Sequence, residues 1–130
     1  MRTSLSKYLD KFVLCRGWIG DWEDFHHSKT RRITVLQPTI RKPDKDLLFQ
    51  EQEIISTEHH INLFIPFNDL TNYDIKFFEL REPIHFSGVV EHYKRKDGSN
   101  DFGIYATKQS TLPYEIYRLK KSVFDSRTFE

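Results

Sequence analysis

Residues 83–107 carry two segments in which β-branched and aromatic side chains alternate with other residues, joined by a short charged turn. Alternation with a period of two is typical of β-strands with one buried face. The turn contains Asp97-Gly98, a dipeptide that tolerates the positive φ angles of a tight hairpin. Gly88 lies inside the first segment, where a glycine indicates a bulge or a sharp bend. These features predict a curved β-hairpin in the second half of the chain.

Three further segments show the strand pattern, at residues 13–25, 31–40 and 58–67. In each of them, apolar residues recur at every second position and so define one buried face. Pro38 is expected to end regular pairing of the second segment or to place it at a sheet edge. Residues 47–56 fit a short helix, an extended strand or a mobile loop, and the pattern does not distinguish these alternatives.

Short helical segments are predicted before, between and after the strands. Residues 3–12 have apolar side chains at helical spacing after a capping Thr or Ser, and Asn68 or Asp69 can cap a helical turn. A carboxyl-terminal helix is predicted within 111–130, followed by a frayed end. Only one alanine, Ala106, occurs in the chain, which argues against a mostly helical protein.

The composition favours a single folded domain spanning residues 1–130, with its β-rich part at about residues 12–110. Hydrophobic residues make up 38% of the chain and aromatic residues 15%, enough for a packed core. The single cysteine, Cys15, excludes an intrachain disulfide and suits a reducing compartment. No apolar run approaches the roughly 18 residues of a membrane-spanning helix, and no signal-peptide core is present. We therefore expect a cytoplasmic protein without membrane contact.

The order of elements is three strands, a short helix and two strands, with a helix at either end. Residues 15–19 fit a glycine-bent first strand, residues 86–90 a fourth strand, and residues 91–105 the last hairpin. This layout resembles the OB-fold, a small five-stranded Greek-key barrel. The resemblance implies a mainly β domain, with a five-stranded OB-like barrel, a short helix between strands 3 and 4, and helices at the termini. An SH3-like barrel and another small α+β fold remain alternatives.

The resemblance to small single-stranded DNA-binding barrels implies a binding surface for single-stranded DNA or RNA. Such surfaces combine aromatic rings, on which bases stack, with basic groups that contact phosphates. The first and last hairpins are expected to flank one groove and to bring such residues together. The predicted nucleic-acid-binding residues are Arg16, Trp18, Lys29, Arg31, Arg32, Phe64, Tyr93, Lys94, Arg95, Lys96 and Tyr105. We expect non-catalytic binding with low sequence specificity.

The charge balance favours a second interpretation. Lys and Arg number 20 and Asp and Glu number 19, so the chain lacks the positive excess that is typical of nucleic-acid-binding proteins. Acidic residues also surround Trp22, and carboxylates repel phosphate. Aromatic residues and arginine are enriched at protein interfaces. A protein–protein interaction or assembly module, with a protein partner or a homo-oligomer, therefore stays open as the alternative.

Metal binding and catalysis are not expected. The six histidines include two adjacent pairs, His26-His27 and His59-His60. Because neighbouring side chains on a strand point to opposite faces, neither pair can bind one ion with both of its members. No paired cysteines and no zinc-binding helix motif accompany them. Cys15 lies on an apolar strand face, where a thiol is ordinarily inert. The sequence therefore predicts no catalytic residue, no metal site and no cofactor.

Overall fold

The computed structural model describes residues 3–70, 81–106 and 116–119. The strands are β1 (Phe12–Phe25), β2 (Thr30–Arg41), β3 (Ile54–Thr57), β4 (His60–Pro66), β5 (Pro83–Lys94), β6 (Asn100–Tyr105) and β7 (Ile116–Arg118). The helical elements are the short α-helix α1 (Phe67–Leu70) and two 3-10 helices, Thr3–Tyr8 and Phe49–Glu51. The described part of the chain is therefore mainly β.

Five of the strands close into a ring in the order β1, β2, β4, β6, β5, and β5 pairs with β1 to complete it. These pairings are antiparallel except that of β4 with β6, which is parallel. β3 pairs with β2, and β7 pairs with β5. The helix α1 follows β4 and precedes β5, which is the position predicted for the helix between the third and fourth strands of an OB-like fold.

The inward faces of the strands form one hydrophobic core, because alternate residues of each strand point to the same side. The segment patterns predicted these faces correctly except at the end of β1, beyond Ile19. Fully buried side chains include Val13, Cys15, Ile19, Ile33, Val35, Ile61, Leu63, Ile65, Phe86 and Ile104. Leu5, from the amino-terminal 3-10 helix, is also fully buried and belongs to the same cluster.

Close backbone approach explains two of the strand glycines. A Cβ at Gly17 would lie 2.4 Å from Cγ1 of Val35, and a Cβ at Gly88 would lie 2.6 Å from the carbonyl oxygen of Tyr105. Real Cβ atoms do not approach other heavy atoms so closely, so any side chain there would force the neighbouring strands apart. The glycines thus permit close packing of β1 against β2 and of β5 against β6.

The terminal segments differ from the prediction. The amino-terminal helix is a 3-10 helix at Thr3–Tyr8 and is shorter than the predicted 3–12. The predicted carboxyl-terminal helix is wrong at Ile116–Arg118, where the chain forms β7 instead. Pairing with β5 satisfies the backbone there, and Ile116 is buried in the core. The other residues of the predicted helix lie outside the described part of the chain.

Regular pairing of β2 is interrupted at Pro38, as predicted, because the β4 ladder ends at Leu36 and the register with β1 shifts between Arg16 and Trp18. The strand itself continues past Pro38 to Arg41. Gln37 takes a positive φ of 53°, and the outer partner of β2 changes from β4 to β3 at this point. A residue without an N–H donor is tolerated there because the ladder is already interrupted. Residues 47–56, left open by the sequence, contain the 3-10 helix Phe49–Glu51 and the start of β3.

Candidate functional site

A groove with a volume of about 470 Å³ crosses the outer face of the ring beside the β5–β6 hairpin. β1, β2, β4 and β5 contribute to it, together with the turn that follows β5. The strand register aligns Glu23 with Arg32, and Arg32 with Phe64, so that outward-facing residues of three strands form one row. The groove is lined by Glu23, Phe25, Arg32, Thr34, His60, Asn62, Phe64, Tyr93, Lys94, Arg95 and Lys96.

Three aromatic rings form a cluster at the groove, and Phe64 lies at its centre. The ring of Tyr105 stacks on Phe64, with centroids 4.6 Å apart and planes 18° apart, and the Tyr93 ring lies 5.0 Å away. Phe64 is only 7% exposed, whereas Tyr93 and Tyr105 are half-buried. A Cβ at Gly103 would lie 2.8 Å from Cε2 of Phe64, so this glycine leaves the space that the ring occupies. Tyr93 is therefore the more exposed of the two cluster rings that line the groove, and Tyr105 lies beside the groove, stacked on Phe64.

A chain of hydrogen bonds runs across the groove and fixes its polar side chains. Thr34 Oγ1 donates to Asn62 Oδ1 at 3.0 Å, and Asn62 Nδ2 donates to the Tyr93 hydroxyl at 2.8 Å. The Tyr93 hydroxyl in turn donates to Asp101 Oδ2 at 3.3 Å. At the other end, Arg32 donates to Thr34 Oγ1. Since each hydroxyl both donates and accepts, the chain holds the Tyr93 ring in one orientation.

The two arginines of the groove are already paired with carboxylates. Arg32 lies 3.1 Å from an oxygen of Asp21 and 3.6 Å from one of Glu23. Arg95 Nε donates to Asp101 Oδ2 at 3.0 Å, and the Asp101 side chain is fully buried. These pairs compensate the arginine charges and position both side chains.

Lys94 and Lys96 differ from the groove arginines because they are exposed and no carboxylate in residues 3–70, 81–106 and 116–119 pairs with them. Both line the groove where β5 leads into the turn. They therefore supply its uncompensated positive charge. The opposite side of the groove, on β1, carries Glu23 and is acidic. The groove therefore has a positive side at β5 and a negative side at β1.

Seven of the eleven sequence-predicted binding residues come together here. Six line the groove and the seventh stacks on Phe64; these are Arg32, Phe64, Tyr93, Lys94, Arg95, Lys96 and Tyr105. Arg31 lies elsewhere, on the core side of β2, where it is 6% exposed and bonds both oxygens of Asp24 at 2.6 and 3.1 Å. Lys29 is exposed in the turn before β2 and does not line the groove.

Arg16 and Trp18 also lie away from the groove, on the first half of β1. Trp18 is 8% exposed, and Arg16 contacts His85 of β5 and Phe49 of the second 3-10 helix. Regular alternation along β1 would place Trp22 on the same face as these two residues. An irregularity in the register between Ile19 and Asp21 reverses the alternation, so Trp22 packs against the core instead.

A solved structure of a single-stranded DNA-binding protein has a similar fold. The chain is similar to the Plasmodium falciparum SSB (single-stranded DNA-binding protein) in complex with ssDNA, with a TM-score of 0.50 and 8% identity, over 84% of this chain and 94% of that one. This likeness confirms the OB-like fold. A small single-stranded DNA-binding protein from Streptomyces coelicolor gives a TM-score of 0.43 and 13% identity over the same shares. No protein family and no curated protein matches the sequence.

Sequence reasoning missed the polar residues between the aromatic and basic groups. Thr34 and Asn62 line the groove and carry the hydrogen-bond chain, but neither was selected. A usable signal existed, because both alternate with core residues on the strands that carry Arg32 and Phe64. Asp101 gave no such signal, since its role depends on the arginine and tyrosine that reach it across the hairpin.

Residues with metal-binding or nucleophilic potential do not form a site in the described part of the chain. No group of three or more His, Cys, Asp or Glu side chains there could hold a metal ion. Burial raises the pKa of the Cys15 thiol well above its ordinary value, which disfavours the reactive thiolate. None of the helices in residues 3–70, 81–106 and 116–119 is long and apolar enough to cross a membrane.

Tyr105 provides a pH-dependent test of the aromatic cluster. Burial, and then the nearby Glu91 and Tyr93, raise the pKa of Tyr105 from 10.0 to about 12. Between these values the folded state retains a proton that the unfolded chain has released, so stability falls as the pH rises from 10 to 12. We expect Tyr105→Phe to weaken this decline and to remove the tyrosinate absorbance that appears last in an alkaline titration. An unchanged late-titrating absorbance in Tyr105→Phe would show that Tyr105 is not shielded as described.

Proposed function

We propose that this protein binds single-stranded nucleic acid in the groove without catalysing a reaction. The observation that carries the proposal is the juxtaposition of the aromatic cluster, in which Tyr93 lines the groove, with two uncompensated lysines, Lys94 and Lys96. Stacking of bases on aromatic rings and neutralisation of phosphates are the two interactions that single-strand binders combine. An SSB with a similar fold, described in complex with ssDNA, supports DNA as the first ligand to test.

The polarity of the groove indicates how a strand would lie. Phosphates are attracted to the side of Lys94 and Lys96 and are repelled from the β1 side, where Asp21 and Glu23 lie. The bases then point toward Tyr93 and Tyr105. Stacking contributes about 1–3 kcal/mol per base and depends little on base identity. The groove therefore suits binding with low sequence specificity.

The test is a binding titration by fluorescence anisotropy with labelled single-stranded DNA, single-stranded RNA and duplex DNA of one sequence. We expect single strands to bind in the micromolar range or tighter, and the logarithm of the binding constant to fall linearly with the logarithm of salt concentration. Duplex should bind more weakly, because its stacked bases cannot reach the tyrosine rings. An absence of single-strand binding at low salt, or binding that salt does not weaken, would refute the proposal.

A protein-interaction module is the second candidate, and an exposed apolar segment favours it. Leu47, Leu48 and Ile54 are 41, 63 and 50% exposed, and β3 pairs only with β2 among the described strands. Exposed edges and apolar side chains can pair with another chain. Failure of every nucleic-acid titration, together with concentration-dependent self-association in analytical ultracentrifugation, would favour this candidate.

A further inference from the structure

Two arginines, Arg16 of β1 and Arg41 of β2, contact the ring of Phe49 in the second 3-10 helix. Cζ of Arg16 lies 4.2 Å from the centroid of the Phe49 ring, and Cζ of Arg41 lies 5.1 Å from it. Attraction between a guanidinium and the face of a ring holds each side chain in place. We call Arg16 and Arg41 the arginine pair. None of these three residues lines the groove.

The arginine pair has no negative partner among the residues that the structure describes. Arg16 Nε donates to the neutral acceptor His85 Nδ1 at 3.1 Å. Arg41 Nη1 donates to the carbonyl oxygens of Gln50 and Gln52 at 3.3 and 2.5 Å. Neither arginine forms an ion pair within residues 3–70, 81–106 and 116–119. Two like charges are thus held near one another without a counter-charge, in contrast to Arg31, Arg32 and Arg95.

Donor atoms remain available at this cluster. The two terminal nitrogens of Arg16 make no hydrogen bond to a described residue, and neither does Nη2 of Arg41. Nε of Arg41 also lacks an acceptor, but it is buried and closed to a ligand. Burial and then the charge of Arg16 lower the pKa of Arg41, and the same two causes lower that of His85 to about 4. His85 is therefore neutral near pH 7 and keeps its Nδ1 lone pair for Arg16. The cluster therefore has two positive charges and donors without an acceptor, and His85 orients the Arg16 side chain.

We propose that the arginine pair binds a phosphate group at a site separate from the groove. A guanidinium presents its N–H donors as a planar fork that matches two phosphate oxygens. A phosphate can also carry the charge needed to compensate both arginines at once. The phosphate could belong to a small ligand or to the backbone of a bound strand, and the chemistry of recognition is the same. This proposal does not depend on nucleic-acid binding in the groove.

The first experiment follows the His85 ring signals by NMR while sodium phosphate or sodium pyrophosphate is added, with sodium chloride at matched ionic strength as the reference. We expect a saturable shift with pyrophosphate that chloride does not reproduce. Arg16→Gln or Arg41→Gln should weaken the response about tenfold, because a charge-assisted hydrogen bond is lost. Lys45→Gln removes one exposed charge from the neighbouring loop and should leave it unchanged. An absence of a saturable shift in the wild-type protein would overturn the proposal.

The variants carry a second readout that does not require a ligand. Replacing Arg16 removes a positive charge next to His85, so the pKa of His85 should rise from about 4 toward its ordinary value of 6.5. Because each replacement also relieves repulsion within the arginine pair, we expect the variants to remain folded. An unchanged His85 pKa in Arg16→Gln would contradict the contact on which the site depends.

The source of the phosphate is decided with oligonucleotides of about 4 and about 16 nucleotides, which span the usual footprint of this fold. If Arg16→Gln/Arg41→Gln binds the longer oligonucleotide more weakly than the wild type does, but binds the shorter one equally well, the phosphate belongs to a strand that extends from the groove to the arginine pair. Equal binding of both strands to wild type and variant, with loss of the pyrophosphate response, would assign it to a small phosphate ligand. If the groove proposal fails, neither oligonucleotide binds, whereas the pyrophosphate titration still reports on the arginine pair.

Discussion

Replacing Tyr93 with alanine is expected to weaken single-strand binding by about 5- to 150-fold, which corresponds to about 1–3 kcal/mol for one stacked base. Tyr93 has the largest expected effect because its ring lines the groove and is half-buried rather than fully covered. Its hydroxyl is held by Asn62 on one side and by Asp101 on the other. A ring that is already oriented loses little conformational entropy when a base stacks on it.

The matched control for this prediction is Tyr93→Phe, which keeps the ring and removes only the hydroxyl. We expect its affinity to fall by less than about fivefold, because the stacking surface remains while the hydrogen bonds that orient it are lost. Affinities are measured by anisotropy, at a temperature at which circular dichroism shows both variants to be folded. Wild-type affinity in a folded Tyr93→Ala protein would place the bases elsewhere on the surface.

Replacing Lys94 and Lys96 together with glutamine is expected to reduce the salt dependence of binding as well as its strength. Each phosphate contact contributes about 0.7 to the slope of log K against log salt for single strands, so we expect the slope to become about 1.4 smaller. At low salt the affinity should fall roughly tenfold. The expectation depends on the exposure of both lysines and on the absence of carboxylates paired with them in the described residues.

The control for the lysine variant is Lys7→Gln/Lys11→Gln, which removes the same total charge from exposed positions near the amino terminus. These lysines do not line the groove, so the slope should stay within error of the wild-type value. Equal loss of slope in the two double variants would show that only net charge matters. That result would contradict a phosphate path along β5 and the turn that follows it.

The strands and their buried faces could be predicted from the sequence, because side-chain alternation within a strand is a local property. The core positions of β1 as far as Ile19, of β2 as far as Val35, and of β4 follow the predicted alternation. The register irregularity between Ile19 and Asp21 could not be predicted, since it depends on how β1 fits β2. It turns Asp21 and Glu23, rather than Trp22, toward Arg32. The sequence consequently predicted a basic and aromatic first strand where the structure has an acidic groove wall.

The sequence predicted the residue types of the candidate site, but it predicted only in part which of these residues lie together. Tyr93, Lys94 and Lys96 are close together in the sequence, and they lie together in the structure because they belong to one hairpin. Arg16 was assigned to the same surface because a one-dimensional pattern does not show where a curved strand turns away. Likewise, Ile116 has apolar neighbours at helical spacing in the sequence, which predicted a helix. The segment forms a strand instead, because it pairs with the free edge of β5. In each case a partner distant in sequence decided the outcome.

The parallel contact between β4 and β6 is the seam at which the ring closes, and it is only two residue pairs long. One of these pairs is Phe64 with Tyr105, the stacked rings of the aromatic cluster, and the Ala106 N–H donates to the Phe64 carbonyl at 3.0 Å. Closure of the ring therefore also brings Phe64 against the two tyrosines of the β5–β6 hairpin. Before the hairpin docks against β4, its two tyrosines lack the Phe64 ring that contacts them both. If bases stack on this cluster as proposed, we expect ligand binding to stabilise the β4–β6 contact and to slow the opening of the ring.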